Sequence, residues 1–319
     1  MKFLRSTILF IICALILTCC GYSDYSGYIY NNNKITPLAE EAYKSYASFS
    51  DERRLTCKHT DYDEFYNSIQ FPKEFDLNGE IVGGIVPHHM AAATLISGFF
   101  NAVAESIAVS GEKYDTAVII APNHEGATGD IVVSYKDWQL WDTVYCDSDI
   151  LEGVCAKNPD GIIITESDDR MEEDHAASVL IPYISHYLPE TEVAAFLLSR
   201  RLTLENIYNF TKILSDEIKA SGKRVIFIAS IDFSHYLPIS LAAENDRITG
   251  MAILDRNYRA IQEFSNGYVD SPQSLNTFLL YLKNSDTDNI EILCNTDMSE
   301  FYGFGINETT SYFIIAAYK

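Results

Sequence analysis

The sequence predicts an α/β fold: a central, mostly parallel or mixed sheet flanked by helices on both faces. Three observations carry that expectation. Short apolar runs alternate with longer segments of helical period. Two of the runs, residues 116–121 (TAVIIA) and 224–230 (RVIFIAS), are almost wholly apolar, as strands buried on both faces of a parallel sheet are. No internal repeat or low-complexity block interrupts the alternation.

Taken in order, residues 80–86 read as a short strand containing Gly83-Gly84. Residues 90–110 read as a helix that is apolar on most faces, hence buried, and stopped at Gly111. Strands are expected at 116–121, 130–135, 161–165 and 192–198, with a helix over 173–187 before the last of these. Thr203 opens a helix to about residue 220, ended by Gly222, and the strand at 224–230 follows. Residues 241–257 are helical by period. Ser271-Pro272 combines a capping hydroxyl with proline at the first helical position, so a helix starts there and runs to about 283. Strands at 290–294 and 311–317 close the chain. Residues 71–319 are expected to form one domain, long enough for a sizeable core.

The first twenty residues have the layout of an export signal. Lys2 and Arg5 precede an apolar run from Ile8 to Leu17, which is short for a membrane span. The run ends in Leu17-Thr18-Cys19-Cys20-Gly21, a lipoprotein-type site with Cys20 as the lipidated residue and Cys19 as the alternative. An uncleaved anchor helix and a plain cleaved signal are the other readings. Under the lipoprotein reading the body is extracytoplasmic, at the cell surface or in the periplasm, and held to the membrane by its N-terminal lipid. Residues 21–70, rich in Tyr, Ser, Asn and Asp, read as a polar tether.

Forty-five acidic against 23 basic residues give a net charge of −22, and losing Lys2 and Arg5 with the leader takes it to −24. A field of that sign repels nucleic-acid phosphates, which excludes DNA and RNA as partners. Four of the seven cysteines lie beyond the leader: Cys57, Cys146, Cys155 and Cys294. They contain no C-x-x-C pair, so zinc-finger and thioredoxin readings fail. In an exported protein they are candidates for disulfides, Cys146–Cys155 being the simplest by loop length.

The chemistry is concentrated just past three strands. In open α/β sheets, sites form where the C-terminal ends of strands meet the following loops. Here those exits carry Pro87-His88-His89, Pro122-Asn123-His124 and Ile231-Asp232-Phe233-Ser234-His235. A single histidine in such a place is usually an ordinary loop residue; three in equivalent places point to a shared site. Paired imidazoles with a carboxylate suit a divalent metal, Fe(II) first and Zn or Cu as alternatives, with positions left open for a small-molecule substrate or ligand. His88 and His124 are the expected metal ligands. Asp270, just before the Ser271-Pro272 helix start, is the candidate third. Asp232 and His235 fit acid/base or orienting work, and His175, at a helix start, a substrate-facing role. His89 points away from its neighbour in extended chain, and His59 and His186 are set aside as tether and polar-face residues.

These same residues resemble the Memo family, the group of the AmmeMemoRadiSam system B proteins. The matching pieces are Pro87-His88, Ala121-Pro122-Asn123-His124, Asp174-His175 with Pro182-Tyr183, and Ser230-Ile231-Asp232-Phe233-Ser234-His235-Tyr236, and the resemblance spans about residues 80–319. It implies the fold of class III extradiol dioxygenases, which are non-haem iron enzymes, with a metal-type site at strand ends. It implies two histidines and a cysteine at that site, matching His88 and His124, with Asp270 standing where the cysteine falls. Ser178 departs from the family's frequent Glu. The expected function is therefore a metal-dependent oxidoreductase of dioxygenase-like type. A non-catalytic binding lipoprotein and a zinc-type metallohydrolase are the rivals.

Overall fold

The computed structural model describes residues 54–319, apart from 78, 125, 127, 128, 159, 288 and 304–306. The leader, with Cys19 and Cys20, and the first part of the expected tether lie outside the described residues.

In chain order the strands are β1 (Leu55–Thr56), β2 (Ile81–Val86), β3 (Thr116–Pro122), β4 (Ile131–Val133), β5 (Trp138–Gln139), β6 (Thr143–Val144), β7 (Ile164–Glu166), β8 (Glu192–Leu198), β9 (Val225–Ser230), β10 (Asn289–Asp297) and β11 (Ser311–Tyr318). Eight of them form one mixed sheet in the order β10-β11-β2-β9-β3-β8-β4-β7, and β1, β5 and β6 form a small separate sheet. The four central strands, β2, β9, β3 and β8, are mutually parallel. Antiparallel pairs join β11 to β2, β10 to β11 and β4 to β8.

Strand β3 shows why the apolar runs become central strands. Ala117, Ile119 and Ala121 enter the core on one face, with Phe99, Phe100 and Tyr183. Val118 and Ile120 enter the core on the other, with Phe196, Phe210 and Phe278. A period of two in side-chain direction thus buries every residue of a continuous apolar run. Fully burying each large aliphatic side chain is worth about 1.5–3 kcal/mol. The first core lies beneath helices Ala93–Ser110 and Ile181–Tyr187, the second beneath Leu204–Ser221 and Pro272–Asn284. The stretch Met90–Ser110 is long and apolar enough to cross a membrane by composition, yet it is largely buried within the body, with Phe99 and Phe100 fully enclosed.

Glycines in β2 allow the sheet to close on it. A Cβ at Gly83 would lie 2.3 Å from the carbonyl oxygen of Phe227 on β9, and one at Gly84 would lie 2.3 Å from the Phe99 ring.

Three expectations change. Residues 54–70, assigned by composition to the tether, carry β1 and a helix, Tyr62–Gln70. Asp61 caps that helix by accepting the N–H groups of Asp63 and Glu64, and buried Phe65 stacks on Trp141 with ring centroids 5.4 Å apart. The signal was Phe65 and Ile69, four residues apart and hidden among polar neighbours. The single helix expected over 173–187 is broken into His175–Ser178 and Ile181–Tyr187, with Pro182 at the start of the second piece, where its missing N–H costs nothing. Finally, Cys57, Cys146, Cys155 and Cys294 are all free thiols, and Cys146–Cys155 is not a disulfide. The Cys146 thiol faces the Ser134 carbonyl at 3.6 Å, whereas Cys155 sits on helix Ser148–Ala156 against Tyr135.

Candidate metal centre

The sheet order explains how distant residues meet. Strands β2, β9 and β3 are neighbours, and their C-terminal ends share one edge. Val86 pairs in register with Ser230, so His88 and Asp232 each stand two residues beyond a paired position. His124 stands two residues beyond the end of β3. The backbone N–H of His88 then donates to Asp232 Oδ1 at 3.1 Å, tying the first exit to the second.

Three imidazoles converge: His88, His124 and His175, with one donor atom from each within 4.8 Å of the other two. The rings of His124 and His175 stack at 4.3 Å with an 18° tilt, and the His88 ring meets both edge-on at 5.2 and 5.0 Å. Metal–nitrogen bonds of about 2.0–2.1 Å set ligand nitrogens about 3.4 Å apart in a tetrahedral shell, so the three imidazoles could serve one ion only by drawing closer.

Two of the three tautomers are set by neighbours. Asp174 Oδ1 accepts from His124 Nδ1 at 2.9 Å and Oδ2 accepts from the His124 backbone N–H at 2.8 Å. A carboxylate accepts only, so Nδ1 carries a hydrogen and Nε2 is the nitrogen left to face a metal. On His88, Nδ1 lies 3.3 Å from Ser230 Oγ, whose own hydrogen goes to the Ala176 carbonyl. Nδ1 must therefore donate, which turns Nε2 toward the site. Burial first, and then the positive field of His88, push His175 down to about 3, leaving it neutral with a free lone pair.

Asp270 joins the cluster at His88. Its Oδ2 lies 3.2 Å from His88 Nε2, and Asp232 Oδ2 lies 3.6 Å from the same nitrogen. His88 Nε2 is thus ion-paired with Asp270, whereas Asp270 Oδ1 is buried with no hydrogen-bond partner among the described residues. Burial disfavours the His88 imidazolium, but the fields of Asp232 and Asp270 outweigh it and raise the group to about 9. Asp270 is held below the usual carboxylate range against the effect of burial, chiefly by His88. Backbone pairing fixes the two acids relative to each other: Asp270 N–H donates to the Asp232 carbonyl, and Asp232 N–H donates to Asp270 Oδ2, each at 3.1 Å.

His235 lies three residues beyond Asp232; its backbone N–H donates to the Asn266 carbonyl, and its Nδ1 is buried with no hydrogen-bond partner among the described residues. His89 turns aside to hydrogen-bond the Tyr312 hydroxyl at 2.7 Å. His59 stands at the rim, 5.9 Å from the His175 ring centroid, with Nε2 bonded to the Glu173 carbonyl.

Sequence reasoning missed several of these residues. His59 was set aside because its segment read as tether. Ser230 was read as the end of a strand motif, and its orienting bond follows only from the β2–β9 register. Arg200 had no signal: its guanidinium donates to the carbonyls of Asp270 and Val269 at 3.1 and 2.9 Å and so fixes the Asp270 loop.

Comparison with known proteins follows the same ground. A family described as Memo-like protein matches residues 63–310. A MEMO1 family protein of Pyrobaculum aerophilum is 26% identical over 212 residues, covering 63% of this chain and 69% of the relative. One from Methanosarcina barkeri is 28% identical over 184 residues, covering 57% and 65%. One from Caldivirga maquilingensis is 24% identical over 249 residues, covering 75% and 84%. The chain thus spans about two thirds of the length of the first two relatives.

Proposed function

This chain belongs to the Memo-like protein family, and on that premise we propose that it is a metal-dependent enzyme acting on a small molecule at the exits of β2, β9 and β3. The observation that carries the reading is the convergence of His88, His124 and His175, with Asp174 and Ser230 fixing which nitrogen of two of them faces inward. Asp270 Oδ1, buried with no hydrogen-bond partner among the described residues, fits the same reading, since a buried polar atom without a partner is costly unless something else satisfies it.

His88, His124 and His175 would hold the metal, with Asp270 beside His88 as a further donor. A bound Fe(II), favoured by the resemblance to dioxygenases, would supply redox chemistry at an open position. Asp232 and Asp270 hold a proton on His88 Nε2 when no metal is present, and His235 is placed to move a proton at its buried Nδ1. The three imidazoles also suit zinc with a bound water, and that donor set favours a metallohydrolase as the second reading.

Elemental analysis tests the proposal. The purified chain is expected to carry close to one Fe, Zn or Cu per molecule, and the double variant His88→Ala/His124→Ala close to none. A metal-free wild-type chain that fails to take up any of these ions would overturn it. Oxygen uptake with an added aromatic substrate separates the iron reading from the zinc one.

A further inference from the structure

The three imidazoles are not equally buried. His88 is enclosed, His175 is half-buried, and the His124 side chain is 32% exposed. Asp232 and Asp270, both buried, close the His88 side. Among the described residues the cluster therefore opens on the side of His124 and His175, and a molecule entering it passes there. A fourth histidine stands on that side. The His59 ring is exposed and lies 5.9 Å from the His175 ring, edge to face.

Neighbouring residues hold His59 in this position. Thr56 donates both its backbone N–H and its hydroxyl to Glu172 Oε1, at 2.8 and 2.6 Å. Lys58 Nζ lies 2.6 Å from Glu172 Oε2. His59 Nε2 bonds to the Glu173 carbonyl at 2.8 Å. Cys57 and Thr60, on either side, are buried. Residues 56–60 are thus fastened along the end of helix Asp168–Glu173, which leads directly into Asp174 and His175. The exposed ring is carried on a fixed backbone beside the opening of the cluster.

The bond to Glu173 also decides what the ring can offer. A carbonyl accepts only, so Nε2 carries a hydrogen. In the neutral ring Nδ1 keeps its lone pair, and it makes no hydrogen bond among the described residues. A hydroxyl or N–H group on a molecule at the opening meets an acceptor there.

We propose that His59 is a substrate-contacting residue of the candidate metal centre, accepting at Nδ1 a hydrogen bond from a hydroxyl or N–H that the substrate carries beside its metal-binding group. The inference rests on the metal reading above. A hydrogen bond between neutral groups is worth about two- to twelve-fold in affinity. It selects ligands with a protic group at that place and takes no part in holding the metal.

Chelators that differ only in a protic group test this. Acetohydroxamate and N-methylacetohydroxamate bind metal through the same pair of oxygens, and only the first carries an N–H. Both are titrated into the Zn(II)-loaded full chain, as wild type and as His59→Phe. Phenylalanine keeps a flat ring beside His175 and lacks both nitrogens. The preference for acetohydroxamate is expected to be about five-fold larger in wild type than in His59→Phe, with Zn(II) affinity the same in both chains to within about two-fold. A role confined to holding the Glu173 backbone, and through it Asp174 and His175, would instead lower Zn(II) affinity and leave the preference unchanged, and that result overturns the inference. An equal preference at equal Zn(II) affinity also overturns it, while the metal reading stands. The same holds if wild type takes up Zn(II) and neither hydroxamate binds, since no ligand then reaches the metal past His59. If wild type takes up neither Zn(II) nor Fe(II) nor Cu(II), the metal reading falls and takes this inference with it.

Discussion

At His88 two opposite demands meet in one side chain. Buried at 1% exposure, it is nevertheless raised to about 9, because Asp232 and Asp270 face its Nε2. A metal binding at that nitrogen must displace a proton, so binding and pH are linked. With the group protonated below about 9, each unit of acidification lowers apparent metal affinity by up to ten-fold. The sign follows for folding of the metal-free chain: a raised histidine contributes stability fully present below its unfolded value of about 6.5 and lost as pH rises through about 9. His175, pushed down to about 3, works the other way and costs stability as pH falls below about 6.5. Isothermal titration with Zn(II) between pH 6 and pH 9 should therefore show affinity rising with pH and proton release on binding. Affinity independent of pH, with no protons released, would exclude His88 as a ligand. At this scale the sequence was informative where a histidine follows a strand. His88 and His124 could be picked out for that reason. The role of Ser230 could not, since a serine's partner depends on which strands are neighbours.

The elements were legible in proportion to how far each carries its own pattern. Strands β3 and β9 are continuous apolar runs, and helix Pro272–Asn284 announces itself through Ser271 and Pro272, with Ser271 capping as expected. Strands β5 and β6 have two residues each, too few for any period to show. Helix Tyr62–Gln70 offers only two buried positions, Phe65 and Ser68, so its packing face is too narrow to stand out. Strand β2 is where element and site depend on each other most closely. Its register against β9 puts His88 beside Asp232, and Gly83 is what permits that approach, a Cβ there falling 2.3 Å from the Phe227 carbonyl. Backbone cannot yield as a flexible side-chain tip can. Gly83→Ala is therefore expected to destabilise the chain by about 1–3 kcal/mol in urea unfolding, the usual cost of overpacking a filled core. It should also weaken metal binding by displacing β2 from β9. A variant as stable as wild type would show that the sheet accommodates the methyl group and that the close approach does not matter.

Across the whole molecule, residues from sequence positions as far apart as His88, His124, His175, Asp232 and Asp270 reach one place because three adjacent parallel strands end together and two loops fold over their exits. The sequence could show that strand ends carry the chemistry. It could not show that His175 joins the imidazoles while Asp270 meets them at His88, because that depends on where the broken helix after Asp174 and the loop fixed by Arg200 come to rest. A site assembled from so many segments exists only in the folded chain, so metal binding must stabilise the fold. At a free metal concentration a hundred times the dissociation constant, a ligand that binds only the folded state adds about 2.7 kcal/mol. For a body of this size, that raises the midpoint by roughly 5–10 °C, at about 2–4 °C per kcal/mol. Calorimetry of the metal-free chain with and without Zn(II) measures the shift. His124→Ala should remove most of it, since His124 is partly exposed and its truncation disturbs the core little while deleting a donor. An equal shift in wild type and His124→Ala would place the bound metal elsewhere on this acidic surface, whose net charge of −22 attracts cations without any built site.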